Sequence, residues 1–227
     1  MKKNKRLIIE LIILVLLFAG SFWYLFMGGR IKDAADEVTA GEDGTRSLIV
    51  YFSREGEIPA DIDAEASASP NSNRDMEGSD TEAAAKMIQQ LTGADMYQIR
   101  TDRYYRSAFW GTAATARIEE ALNLRPKLAA RPESLDDYDV IFLGYPNWWG
   151  DMPQPLYTFL EEYDFSGKTI IPFCPHGGSG FSRTESTIQK MQPNATVSTN
   201  SYKVSREDVV DSAEDVIAWA KSLGLGK

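Results

Sequence analysis

The chain has 227 residues, 43% of them apolar, and a formal net charge of −9. This length and composition suit one sizeable domain with an appendage, and the acidic balance argues against nucleic acid as a partner. Cys174 and His176 are the only cysteine and histidine, so an intrachain disulfide is excluded and we expect no metal site.

The amino terminus has a basic flank, residues 1–6, followed by an apolar run. Residues 7–27 contain one charge, Glu10, and at about 1.5 Å rise per residue they cover roughly the 30 Å hydrocarbon core of a bilayer. We interpret this run as a transmembrane signal anchor. A cleaved signal peptide is the alternative, because residues 18–21 include the small residues that cleavage requires. The basic flank predicts a cytoplasmic amino terminus and an extracytoplasmic domain, which is secreted if the anchor is cleaved.

A polar segment at residues 28–46 is typical of a linker, and the folded domain is expected over residues 47–227. Residues 1–32 hold six of the 24 Lys+Arg and one of the 33 Asp+Glu. The remainder therefore has 18 basic and 32 acidic residues, a net charge of −14. This charge permits steering toward basic partners, or it simply solubilises the surface.

From Ser47 onward, strand patterns and helix patterns alternate. The predicted strands are 48–52, 94–100, 139–143, 169–173 and 196–204. The predicted helices are 81–91, 108–122, 153–163, 185–191 and 206–223. The alternation predicts an α/β fold with a doubly wound, five-stranded parallel sheet of order 2-1-3-4-5, preceded by one transmembrane helix. Such sheets bind ligands beyond the carboxyl ends of their strands, at the switch point between the first and third strands.

The loop after the first predicted strand is split by a polar insertion at residues 57–78. Its candidate phosphate-binding residues are Ser53, Arg54, Gly56, Ser79, Asp80 and Thr81. Ser79 and Glu82 form a capping-box pattern, and a helix amino terminus offers unpaired N–H groups and a positive dipole end to a phosphate. A Ser79 that only caps its helix is the alternative. No Gly-x-Gly-x-x-Gly or P-loop pattern follows the strand, which disfavours dinucleotides and ATP.

The loops after the third and fourth predicted strands are the other two candidate segments. In the second loop the candidates are Pro146, Asn147, Trp148, Trp149 and Gly150; in the third they are His176, Gly177, Gly178, Ser179 and Gly180. Aromatic rings on the second loop suit a planar ligand, with Trp148 predicted to stack, although tryptophans that plug the sheet edge are equally open. The glycines of the third loop allow main-chain N–H groups to approach a heterocycle closely.

Four segments together resemble the flavodoxin-like family of FMN-binding proteins, over about residues 47–227. These segments are 51–54, 144–150, 164–168 and 172–180. The resemblance implies non-covalent FMN, with its phosphate in the first loop and its isoalloxazine ring between the other two. The first loop departs from the family pattern Ser/Thr-x-Thr-Gly-Asn-Thr, because it is split and Asp80 stands where asparagine is common.

Together with the predicted anchor, the resemblance implies a membrane-anchored FMN protein that transfers electrons, with the flavin rather than a catalytic side chain carrying the chemistry. An FMN-dependent reductase of quinones or similar small acceptors is the alternative. A further alternative, of a different class, is a tethered binding or scaffold domain that has lost FMN. The redox partner, whether a protein or a small acceptor, is not identified by the sequence.

Overall fold

The computed structural model describes residues 46–53, 79–103, 105 and 109–224. The predicted anchor, almost all of the linker, the 57–78 insertion, Arg54 and Gly56 lie outside these ranges. Within them, no helix has both the length and the apolar character needed to cross a bilayer.

Strands and helices alternate along the described chain, as predicted. The strands are β1 (Ser47–Phe52), β2 (Asp95–Ile99), β3 (Val140–Gly144), β4 (Thr169–His176), β5 (Thr196–Val197) and β6 (Tyr202–Ser205). The helices are α1 (Asp80–Thr92), α2 (Phe109–Ala121), α3 (Gln154–Glu162), α4 (Thr184–Met191) and α5 (Ala213–Ser222).

The sheet is parallel throughout and runs in the order β2-β1-β3-β4-β5, with β6 also pairing with β4. The predicted order 2-1-3-4-5 is therefore confirmed. The switch point falls between β1 and β3, where the chain leaves β1 toward β2 on one side and later returns on the other.

The sequence predicts one strand, 196–204, at the fifth position of the sheet, but the structure has two strands there. β5 ends at Val197, opposite Ile170, and β6 begins at Tyr202, opposite Phe173. Four residues, 198–201, therefore lie opposite two on β4, and the surplus leaves the sheet as a turn in which Ser198 Oγ accepts the Asn200 N–H at 3.0 Å. Two short strands result.

The last helix also begins later than predicted. Residues 206–212 form successive turns rather than helix, with the N–H groups of Asp208, Asp211 and Ser212 each donating to the carbonyl three residues earlier. The apolar residues of this stretch have a helical spacing, and Val209 among them is buried. The pattern alone therefore does not distinguish these turns from a helix.

Two apolar cores lie on opposite faces of the sheet, and β1 contributes to both by alternation. Leu48, Val50 and Phe52 face the first core, which α2, α3 and α4 cover. Ile49 and Tyr51 face the second core, which α1 and α5 cover. Both faces of β1 are thereby buried, which explains its continuous apolar run.

Candidate functional site

The carboxyl edge of the sheet holds the three loops that the sequence singled out. The first loop starts at Ser53, directly after β1, and resumes at Ser79, directly before α1. The second starts at Tyr145 after β3, and the third at Gly177 after β4. Because β1, β3 and β4 are adjacent and parallel, all three loops leave the same edge.

In the first loop the described candidate side chains are all buried. Ser53 Oγ accepts a hydrogen bond from Gln98 Nε2 at 3.2 Å, and Ser79 Oγ accepts the Glu82 N–H at 3.2 Å. The predicted amino-terminal cap of α1 is thus confirmed. Asp80 and Thr81 lie in the first turn of the helix, where the macrodipole favours a carboxylate.

The second loop is a tight turn that exposes one indole and buries the other. Trp148 and Asp151 exchange two main-chain hydrogen bonds of 2.9 Å, and the two residues between them have positive φ, 56° at Trp149 and 85° at Gly150. Glycine adopts this conformation readily, but a bulky residue there is a conformational outlier that costs roughly 1–2 kcal/mol. The turn therefore holds Trp149 in a strained position.

Trp148 packs inward against the end of β1. Its ring meets Phe52 edge-on at 5.5 Å and Tyr105 at 5.2 Å, and only 5% of the residue is exposed. Its indole Nε1–H is buried without a hydrogen-bond acceptor in the described part of the chain. A buried donor of this kind is costly unless a ligand supplies the acceptor.

Trp149 points outward and is 57% exposed. It lies along α2, with Nε1 donating to the Ala113 carbonyl at 3.2 Å and its ring 5.7 Å from the Arg117 guanidinium carbon. The prediction that Trp148 stacks on a planar ligand stays a prediction, but Trp149 is the indole whose ring is accessible in this structure.

Asn147 joins the second loop to the third. Its Nδ2 donates to Gly180 O at 2.8 Å and to Ser182 Oγ at 3.0 Å, while its Oδ1 accepts the Gly150 N–H at 3.0 Å. One amide thus fixes the turn that carries Trp149 and the distance between the two loops. Of the predicted site residues, Asn147, Gly150 and Gly180 meet at this link.

The third loop offers main-chain donors beside a neutral imidazole. His176 Nδ1 accepts the Gly178 N–H at 3.0 Å, and burial together with the positive charge of Lys203 lowers the pKa of His176. The ring is therefore neutral near pH 7 and carries its proton on Nε2. The N–H groups of Gly177 and Gly180 meet no hydrogen-bond acceptor within residues 46–53, 79–103 and 109–224.

Gly144 lies directly before the second loop. Packing rather than a ligand requires a glycine at this position. A Cβ at this position would lie 2.0 Å from Phe173 Cζ on the neighbouring strand, which no side chain tolerates. The Phe173 ring therefore covers Gly144 at the end of β3.

Two interacting residues, Tyr105 and Glu119, carry no signal in the sequence. Tyr105 packs on Phe52 and Trp148, and its hydroxyl donates to Glu119 Oε2 on α2 at 2.7 Å. Burial raises the pKa of Glu119 to about 7, although the hydrogen bond from Tyr105 opposes the shift. No local motif marks this pair, because its members are fourteen positions apart and meet only through the fold.

The fold and its edge define a doubly wound α/β protein with a candidate ligand site at the switch point. The sequence profile of the flavodoxin family matches residues 76–221, more than half of the chain. The chain belongs to the flavodoxin family. No curated protein matches it.

Solved structures agree with this assignment. A candidate flavoprotein from Bacteroides uniformis ATCC 8492 is 28% identical, with 79% of this chain and 99% of that chain covered at a TM-score of 0.58. A candidate flavoprotein from Bacteroides eggerthii DSM 20697 is 26% identical, with 77% of this chain and 98% of that chain covered at a TM-score of 0.54. A flavoprotein in complex with FMN from Lactobacillus acidophilus NCFM is 16% identical, with 75% and 99% covered at 0.51, and shares the fold.

Proposed function

We propose that this protein is a flavodoxin-family redox protein whose cofactor is FMN, held at the carboxyl edge between β1, β3 and β4. Family membership supports this function, as does the FMN-bound Lactobacillus acidophilus flavoprotein of the same fold. The observation that carries the proposal is the buried Trp148 Nε1–H, which has no acceptor within the described residues and lies at the switch point.

The donors at this edge fit FMN. A ligand with phosphate and sugar oxygens supplies the acceptor that Trp148 lacks, and one with a carbonyl-bearing heterocycle suits the N–H groups of Gly177 and Gly180. We assign the phosphate to Ser53, Ser79 and Thr81 beside the amino terminus of α1.

FMN, when bound, accepts and donates electrons, and the protein's residues orient and enclose it. Trp149 offers a flat exposed ring to the isoalloxazine, and Asn147 fixes that ring relative to the third loop. His176 stays neutral and presents an N–H donor at Nε2. Both loops are anchored to buried strands, so their geometry is largely set before the ligand arrives.

Titrating the purified full-length chain with FMN tests the proposal. Flavin fluorescence should be quenched along a saturable curve, and the thermal midpoint should rise with FMN concentration. At an FMN concentration a hundred times Kd, the free energy of unfolding should increase by about 2.7 kcal/mol. A thermal midpoint that does not move with FMN would instead support the scaffold that has lost the cofactor.

Two exposed tryptophans provide a matched pair of variants. W149A should weaken FMN binding about tenfold, since an aromatic stack is worth about 0.5–1.5 kcal/mol beyond buried area. W110A removes an indole that is 78% exposed on α2 and should leave FMN affinity unchanged. Equal losses in both variants would contradict the role given to Trp149.

An electron carrier and a small-acceptor reductase differ in turnover. We favour the carrier because an indole over the ring restricts access of a second planar molecule to that face. Steady-state oxidation of reduced nicotinamide with a quinone by the holoprotein would instead support the reductase.

We also propose that residues 7–27 anchor the domain, with the domain on the extracytoplasmic side. The support is the length of the apolar run and the basic flank before it. The protein should stay in the membrane pellet after alkaline extraction, and external protease should digest the domain on intact cells. Protection of the domain from that protease would overturn the proposed orientation.

A further inference from the structure

We propose that Lys203 raises the reduction potential of the bound flavin by placing a positive charge against the third loop. This inference rests on the proposed FMN site and concerns how that site is tuned.

Lys203 is directed toward the third loop by its place in β6. Tyr202 and Val204 on either side point into the second core, so Lys203 points to the opposite face, in register with Cys174 of β4. Its aliphatic chain then runs along the loop: Cδ lies 3.5 Å and Nζ 3.7 Å from the position that a Cβ of Gly180 would occupy.

Gly180 lies beside the Lys203 side chain. Gly180 has a φ of 56°, and a Cβ there would be in ordinary van der Waals contact with the Lys203 chain. The Gly180 carbonyl is also one end of the Asn147 link to the second loop. The ammonium group therefore lies next to the point where the two proposed flavin-contacting loops meet.

Two other cations among the described residues lie near carboxylates. Arg183 NH2 is 3.9 Å from Asp151 Oδ2, and Arg117 NH1 is 2.7 Å from Glu120 Oε2. Lys203 has no ion-pair partner within the described residues, and burial together with the positive charge of Lys203 lowers the pKa of His176.

A cation here affects the reduced and oxidised forms of FMN unequally. Uptake of two electrons and one proton leaves FMN with one more negative charge than before. The Lys203 ammonium stabilises that charge by Coulomb attraction, so it should tighten binding of reduced FMN relative to oxidised FMN. The effect opposes the acidic balance of the rest of the domain, which disfavours the added charge.

The test is the reduction potential of FMN bound to the full-length protein, measured by equilibration with a reference dye while dithionite supplies the electrons. K203M should lower the preference for reduced FMN about three- to fivefold, which for a two-electron couple is about 15–20 mV. K203E should lower the reduction potential further, and K203R should keep it at the wild-type value. High salt should shrink all these differences, because the group is exposed.

K221M is the matched control, since it removes the same charge from an exposed lysine near the end of α5. Its potential should equal that of the wild type. Normal FMN binding with an unchanged potential in K203M and K203E would overturn this inference alone. Equal shifts in K203M and K221M would also overturn it, because net charge would then be the cause. No FMN binding by the wild type would overturn the proposed function as well.

Discussion

At the scale of single residues, Glu119 links stability to pH. Burial raises its pKa from 4.5 to about 7, so between those values the folded state keeps a proton that the unfolded state releases. Raising the pH through this window therefore favours unfolding, by about 3 kcal/mol at most, and above it the cost is constant. The free energy of unfolding of the wild type minus that of E119Q should fall by this amount from pH 4.5 to 8. A flat difference would contradict the buried, protonated carboxyl.

Tyr105 provides a companion to that measurement. Its hydroxyl donates to the Glu119 carboxylate and lowers the pKa of Glu119, so Y105F should raise that pKa further. In Y105F, the pH above which the free energy of unfolding stops falling should be higher than in the wild type. Urea unfolding across the same pH series would detect the change, and a downward movement would mean that the hydrogen bond favours the protonated form.

Asn147 is the residue on which the arrangement of two loops depends. N147A removes the donor to Gly180 and Ser182 and the acceptor of the Gly150 N–H, and it should cost about 1–3 kcal/mol of unfolding free energy. S182A, which removes only one of these partners, should cost less. Denaturant unfolding of both variants checks the order, and equal effects would show that Asn147 is not the main link.

At the scale of elements, the sequence predicts what local patterns determine. The continuous apolar run of β1 and the cap at Ser79 mark their elements correctly, because burial and capping act on neighbouring residues. The interruption between β5 and β6 escapes prediction because it depends on how many residues β4 presents across the sheet. Trp148 is buried and Trp149 is exposed because of a turn with positive φ, which no propensity predicts.

Gly144 gives an element-scale prediction about the pairing of β3 and β4. G144A places a methyl group against the Phe173 ring and should destabilise the protein by about 1–3 kcal/mol. F173L opens that space, so G144A should cost less in the F173L background than in the wild type. A double-mutant cycle of unfolding free energies measures this coupling, and strict additivity would contradict the contact.

At the scale of the whole molecule, β1 contributes to both cores of the described residues, and Arg46 lies directly before this strand. Arg46 O accepts the Asp139 N–H at 2.9 Å, and its guanidinium meets Asp137 at 3.1 Å and lies over the Tyr138 ring. A fragment of residues 46–227 should therefore unfold in one cooperative transition, whereas residues 53–227 lack β1, which pairs with both β2 and β3, and should not fold.

The Arg46 side chain itself should matter little, because its ion pair is exposed and such pairs are worth about 0–1 kcal/mol. R46A in the 46–227 fragment should accordingly lose no more than about 1 kcal/mol, while deletion through Phe52 removes the strand that both β2 and β3 pair with. Tryptophan fluorescence and far-ultraviolet circular dichroism should give coincident urea transitions for 46–227. Separate transitions would mean that the two faces of the sheet unfold independently, contrary to a β1 that is shared by both cores.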